Sequence, residues 1–154
     1  MSVALLSIGK RMPDWVSMGC SEYSKRLPSQ WRFELKEIQQ AKADTAELRM
    51  AAESKLLLSA MPEKSHVVAL DNRGVSWNTE QLAQQLQQWL EMGKPLTFVI
   101  GGPDGLHNDC RVRANQLVSL SPFTFPHPMV RVIWLEQLYR AHSILTNHPY
   151  HRAG

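Results

Sequence analysis

The spacing of apolar positions changes repeatedly along this chain. Residues 2–9 ("SVALLSIG"), 66–71 ("HVVALD"), 96–102 ("LTFVIGG") and 115–121 ("NQLVSLS") are short apolar runs that predict strands. The run 31–38 ("WRFELKEI") alternates instead, which predicts an edge strand with one wetter face. Between these runs the apolar residues return every three or four positions, a period that predicts helices over 14–27, 44–60, 78–92, 108–114 and 128–145. The helix over 78–92 is the best delimited. Asn78 and Gln81 form a capping-box start, Leu82, Leu86, Trp89 and Leu90 supply the apolar stripe, and Gly93 and Pro95 end it. The preceding helix opens at Asp44 with Glu47 three residues on, runs through Leu48, Ala52 and Leu56, and stops ahead of Pro62.

Strands alternating with helices predict an α/β fold around a mainly parallel sheet. "HVVAL" and "LTFVI" are apolar on both faces, as central strands are when helices cover both sides. A chain of 154 residues without internal repeat suits a single domain spanning 1–154. In such sheets ligands lie outside the carboxyl ends of the strands. The positions to inspect are therefore Gly9, Leu70 with Asp71, Gly101 with Gly102, and Leu120 with Ser121.

Composition removes several function classes. Cys20 and Cys110 lack any CxxC or His/Cys spacing, which predicts free, reduced thiols and neither a disulfide framework nor a zinc site. The first apolar run has no basic region ahead of it and no stretch approaches a bilayer span, so a cytoplasmic protein without membrane contact is expected. Residues 39–44 are polar enough to predict a short disordered stretch. A net charge of +3 permits contact with phosphates without demanding it. Its distribution adds a little, because 111–116 and 139–152 carry four Arg and three His.

Four stretches bear on chemistry. "IGGPDGL" (100–106) places adjacent glycines at a strand end, where missing Cβ atoms admit either a tight turn or a ligand lying on the backbone, and its spacing matches neither a P-loop nor GxGxxG. "SLSPFTFPHP" (119–128) holds three prolines that stiffen an extended loop, either as a connector or as a platform for a flat ring. Glu136 and Arg140 are four apart in the favourable orientation for a surface ion pair, worth about 0.3–0.5 kcal/mol. "TNHPYHRAG" (146–154) gathers His148, Tyr150, His151 and Arg152. Pro149 denies the two histidines a shared helical face, so metal binding is disfavoured, and two uses remain: contact with RNA, or packing on the same or another subunit.

Taken together, "KRMPDWV" (10–16), "IGGPDGL", "SLSPFTFPHPMVRV" (119–132) and "LYRAHSILTNHPYHR" (138–152) resemble the ribosomal large subunit methyltransferase H family, in order and across essentially the whole chain. The resemblance implies the SPOUT class: an α/β domain with a deep trefoil knot near its C-terminus, acting as a homodimer. It further implies methyl transfer from S-adenosylmethionine to N3 of a pseudouridine in 23S ribosomal RNA, within the large subunit or the assembled 70S ribosome. The implied cofactor contacts are Leu70, Gly101, Gly102, Leu120, Ser121, Pro122, Phe123, Thr124 and Phe125. The implied catalytic set is Glu136, Arg140, His148, Tyr150, His151 and Arg152, contributed across the dimer, with no metal. Methylation of transfer RNA and a noncatalytic ribosome-binding module are the alternatives.

Overall fold

A computed structural model describes residues 1–152. In chain order the elements are β1 (Val3–Ile8), α1 (Asp14–Ser24), a 3-10 turn (Ser29–Trp31), β2 (Glu34–Ile38) and α2 (Ala46–Ala60). They continue with β3 (His66–Ser76), α3 (Thr79–Glu91), β4 (Leu96–Ile100), α4 (Asn108–Arg113), β5 (Gln116–Ser119), α5 (His127–Leu145) and a second 3-10 turn (Pro149–His151). The five strands form one parallel sheet in the order β2-β1-β4-β3-β5. The near-continuous apolar runs thus occupy central positions, and the alternating run, shortened at its start because Trp31 lies in the 3-10 turn, is the edge strand β2.

Side chains alternate across the sheet and sort into two cores. Val3, Leu5, Val68, Leu96, Phe98 and Ile100 face α1, α3 and α5, whereas Leu6, Ile8, Val67, Ala69 and Val99 face α2 and α4. The first core is aromatic at its centre. Trp89 packs edge-on to Phe98 with ring centroids 5.6 Å apart, and Phe98 edge-on to Trp134 at 5.1 Å. Each such pair adds about 0.5–1.5 kcal/mol beyond the area it buries.

Three local features depart from the sequence expectation. The predicted strand at 66–71 continues to Ser76 through an irregularity between Leu70 and Val75. Gly74 permits this, because a Cβ there would lie 2.3–2.5 Å from backbone atoms of Leu117 and Val118 on β5. Helix α2 starts one residue later than predicted, with Thr45 as its N-cap accepting from the Leu48 N–H at 3.1 Å. Its Leu48 and Leu56 are 57% and 47% exposed, and the buried face is formed by Glu53, Ser54 and Leu57. Small and polar groups face inward there because Gly102 and Cys110 come close; the Ser54 hydroxyl lies 3.4 Å from the Cys110 sulfur. The capping box on α3 forms as read from the sequence, with reciprocal bonds of 2.8 and 2.9 Å between Asn78 and Gln81.

After β5 at one edge of the sheet, residues 120–130 cross the carboxyl ends of β3 and β4. This delivers the start of α5 to the carboxyl end of β1, where Arg131 donates to the carbonyls of Ile8 and Gly9. That crossing builds the site.

Candidate active site

Over the carboxyl ends of β3 and β4 lies a cavity of about 810 Å³. Leu70 to Arg73 form one side, the turn Gly101 to Gly105 the floor, Glu47 and Met50 of α2 a second side, and Phe125 to Pro128 the crossing segment above. The turn is closed by the Gly105 N–H donating to the Gly102 carbonyl at 3.0 Å. A Cβ on Gly101 would lie 2.8 Å from Gly105 backbone, and one on Gly102 would lie 3.0 Å from Ile8 Cγ2 and 3.3 Å from Glu53 Oε1. Packing within the protein therefore requires glycine at 101, where a Cβ would meet backbone, and leaves little room for a side chain at 102. A tight turn and a ligand-facing loop are here the same object: the turn folds back on itself and turns its backbone to the cavity.

The cavity is polar and nearly balanced in charge. Asp71, Asp104 and Glu47 face Arg73, Arg111 and His107. Asp104 is held by Arg49 through two bonds, Nε to Oδ2 at 2.8 Å and Nη2 to Oδ1 at 3.3 Å, which keep its carboxyl below the usual carboxylate range. His107 caps α4 by accepting from the Asp109 N–H at 3.1 Å, leaving its Nε2 3.2 Å from Glu47. His127 opens α5 at the cavity wall. Burial, and then the neighbouring Arg131 guanidinium, push its pKa down, so the imidazole is uncharged at neutral pH.

Of the residues expected at a cofactor, Leu70, Gly101, Gly102 and Phe125 line this cavity. Leu120 and Ser121 line a second cleft of about 380 Å³ that shares Phe125 and is walled by Trp77, Trp134 and Gln137. Pro122, Phe123 and Thr124 are exposed and line neither, because the prolines carry them around the outside of the crossing.

The expected catalytic set splits. Helix α5 ends in a Schellman motif: Asn147 takes a left-handed φ of 57°, its N–H donates to the Ile144 carbonyl, and the His148 N–H to that of Ser143. The chain then turns back along its own helix. Glu136 Oε2 receives Arg140 Nη2 at 2.7 Å and the Tyr150 hydroxyl at 2.9 Å, and the Arg140 guanidinium sits 4.9 Å from the Tyr150 ring centre. The pair is a partly buried network rather than a solvated surface contact. Burial, and then hydrogen bonds to Tyr23 and Glu136, push the Tyr150 phenol well up, so it remains a donor. His148 uses Nδ1 to accept from the Tyr150 N–H, His151 Nδ1 faces the His148 carbonyl, and Arg152 is exposed. None of these six residues lines the cavity of its own chain.

Arg49, Asp104, His107, His127 and Arg131 are cavity or support residues that the sequence reading did not single out. Asp104 lies inside the glycine motif and His127 inside the proline motif, so both were within reach; the Arg49 partnership, 55 residues away in sequence, carries no local signal.

Residues 1–151 match the family model described as "Predicted SPOUT methyltransferase". This chain belongs to the SPOUT methyltransferase family. It is 48% identical over 156 residues to Ribosomal RNA large subunit methyltransferase H of Burkholderia cenocepacia (strain HI2424), covering 99% of this chain and 100% of that protein. The protein of the same name from Hahella chejuensis (strain KCTC 2396) is 47% identical, with 99% of each chain covered. Among solved structures, TrmJ from Z. mobilis ZM4 superposes with a TM-score of 0.57 at 13% identity, over 91% of this chain and 70% of that one. A probable methylase family protein from Haemophilus influenzae Rd KW20 superposes with a TM-score of 0.55 at 10% identity, over 98% and 70%. At such identities the two structures speak for the fold alone. Among the described residues no helix is long and apolar enough to cross a membrane.

Proposed function

We propose that this protein transfers a methyl group from S-adenosylmethionine to N3 of a pseudouridine in 23S ribosomal RNA, in the cytoplasm, on the large subunit or the assembled 70S ribosome. It acts as a single domain that pairs into a homodimer, and the tail of one copy completes the cavity of the other. The observation that carries the reading is the cavity itself. A backbone-lined glycine turn meets a proline-stiffened crossing at the strand ends, in a chain nearly half identical over its full length to proteins named for ribosomal RNA methylation. The crossing of residues 120–130 over β3 and β4, with α5 returning to β1, supports the trefoil knot that the resemblance implies.

The residues present fit the donor. A volume of about 810 Å³ is within the range of small-molecule sites. The balanced carboxylates and guanidinium groups suit a zwitterionic amino acid end, and the side chains of Leu70, Ile100 and Phe125 suit the flat face of an adenine. S-adenosylmethionine, when bound, supplies a methyl group made electrophilic by its sulfonium, so the chain needs no nucleophile of its own. What the chain must supply is alignment, worth several kcal/mol and up to about 7–11 when reacting atoms are well placed, and removal of the N3 proton. The stiff crossing and closed turn serve the first task. For the second, the tail offers the imidazoles of His148 and His151, side chains of the type that most often serves as a general base. Glu136 is not a candidate base, since both its oxygens already accept hydrogen bonds; it positions the tail by holding Arg140 and Tyr150.

Transfer of labelled methyl groups from S-adenosylmethionine tests the substrate assignment, with 70S ribosomes, separated subunits, free ribosomal RNA and transfer RNA offered in parallel. Label confined to large-subunit RNA is expected. Label in transfer RNA, or in none of the four, would overturn the assignment.

A further inference from the structure

The turn that floors the cavity, Gly101-Gly102-Pro103-Asp104-Gly105, has one polar side chain, Asp104, and that side chain is gripped from outside the turn. Arg49 of α2 meets it with a two-pronged contact at 2.8 and 3.3 Å, the geometry in which guanidinium and carboxylate planes match. The third arm of the same guanidinium, Nη1, donates to the Ala43 carbonyl at 3.0 Å. One helical turn further along α2, Glu53 is 2% exposed and accepts from the Ala41 N–H at 3.0 Å. Its other oxygen lies 3.3 Å from where a Cβ on Gly102 would be. Arg49 and Glu53 thus hold residues 41–43 on one side and the glycine turn on the other. The polar stretch that sequence alone marks as disordered is anchored by these bonds.

This arrangement ties the α2 wall of the cavity to its floor, beside the Glu47–His107 contact at the far end of the turn. Glu47 and Met50, on either side of Arg49, form one wall, and the turn forms the floor. Gly105 adopts a φ of +92°, no atom lies within 4 Å of an added Cβ, and its N–H closes the turn on the Gly102 carbonyl at 3.0 Å. We propose that Arg49 and Asp104 are a positioning pair for the methyl donor: they fix the angle at which the turn presents its backbone, and so set donor affinity without touching the transferred group. The proposal rests on the cofactor reading given above.

The test is a double-mutant cycle with the full-length protein, using Arg49→Gln, Asp104→Asn and the double variant. Calorimetry with S-adenosylmethionine gives the affinity, and methyl transfer into ribosomes at saturating donor gives kcat. Each single variant is expected to weaken donor binding about tenfold with kcat within about twofold of wild type, and the double variant to be no weaker than either single one. A folding defect would instead lower the binding stoichiometry and leave the affinity of the folded fraction intact, so the two effects separate in one titration. Single-variant affinities within about twofold of wild type would overturn the pair, as would losses that multiply to about a hundredfold in the double variant. A wild-type protein that binds no donor would instead overturn the cofactor reading itself.

Discussion

Replacing Arg131 with methionine should be among the most damaging single changes outside the aromatic core. Arg131 is fully buried near the start of α5. Its Nη1 lies 2.8 Å from Glu37 Oε2 and 3.4 Å from the Gly9 carbonyl, and its Nη2 lies 3.0 Å from the Ile8 carbonyl. One side chain therefore joins α5 to the ends of β1 and β2. Methionine fills the space of the stem and removes the cost of burying a charge, which is real here: burial pushes the Arg131 pKa down, against the opposing pull of Glu37. What remains is the loss of the guanidinium as donor. Glu37 is 36% exposed and recovers water, but the two carbonyls face protein. Leaving each short of a donor costs about 1–3 kcal/mol, and a net loss of about 3 kcal/mol follows, at the lower end for breaking a buried ion pair. With a urea dependence of about 2 kcal/mol per molar, the unfolding midpoint should fall by about 1.5 M at fixed protein concentration. Arg131→Lys should fall between, since an ammonium cannot reach all three acceptors. A methionine variant within about 0.5 M of wild type would refute the view that this buried charge anchors the crossing.

Other substitutions probe separate parts of the account. Gly74→Ala should cost about 3 kcal/mol in urea unfolding, because its Cβ would meet the β5 backbone at 2.3 Å. Tyr150→Phe removes one hydrogen bond to Glu136 and should lower stability by about 1 kcal/mol, read from the urea midpoint. His127 and His142 both have pKa values depressed below 6.5, chiefly by burial. Their contribution is fully present above 6.5 and is lost as pH falls through the folded values, so the urea midpoint should drop on acidification, and less steeply in a His127→Gln/His142→Gln variant. Glu53, raised by burial, contributes with the opposite sign in both proteins, so it cancels from the comparison.

The sheet and its helices were legible because they rest on local pattern. The apolar runs at β3 and β4 and the Asn78/Gln81 cap needed nothing from elsewhere in the chain. The features missed depend on contacts distant in sequence. Asp71-Asn72-Arg73-Gly74 has the composition of a turn, yet β3 runs through it, because β5 lies close enough to pair again beyond the irregularity. Leu48 and Leu56 have helical spacing but face solvent, because the opposite side of α2 meets glycine and cysteine and has room only for small or specifically bonded groups. The burial of Arg131 has no local signal, because Ile8, Gly9 and Glu37, which surround it, are distant in sequence. The strand-end rule located the cavity, and the glycine and proline motifs supplied two of its walls. Glu136, Arg140 and Tyr150 are hydrogen-bonded to one another, but in a single chain that cluster and the cavity do not meet.

That separation makes the assembly of the site the most direct test. On the homodimer proposed above, two variants can be mixed and their subunits exchanged: one lacking residues 148–154, the other carrying an intact tail but a donor cavity blocked by Leu70→Trp, each expected to be inactive by itself. If the tail of one copy serves the cavity of the other, mixed dimers contain one complete site, and methyl transfer into ribosomes should return to about a quarter of the wild-type level. If each tail serves its own chain, no complete site can form and the mixture will stay as inactive as its parts.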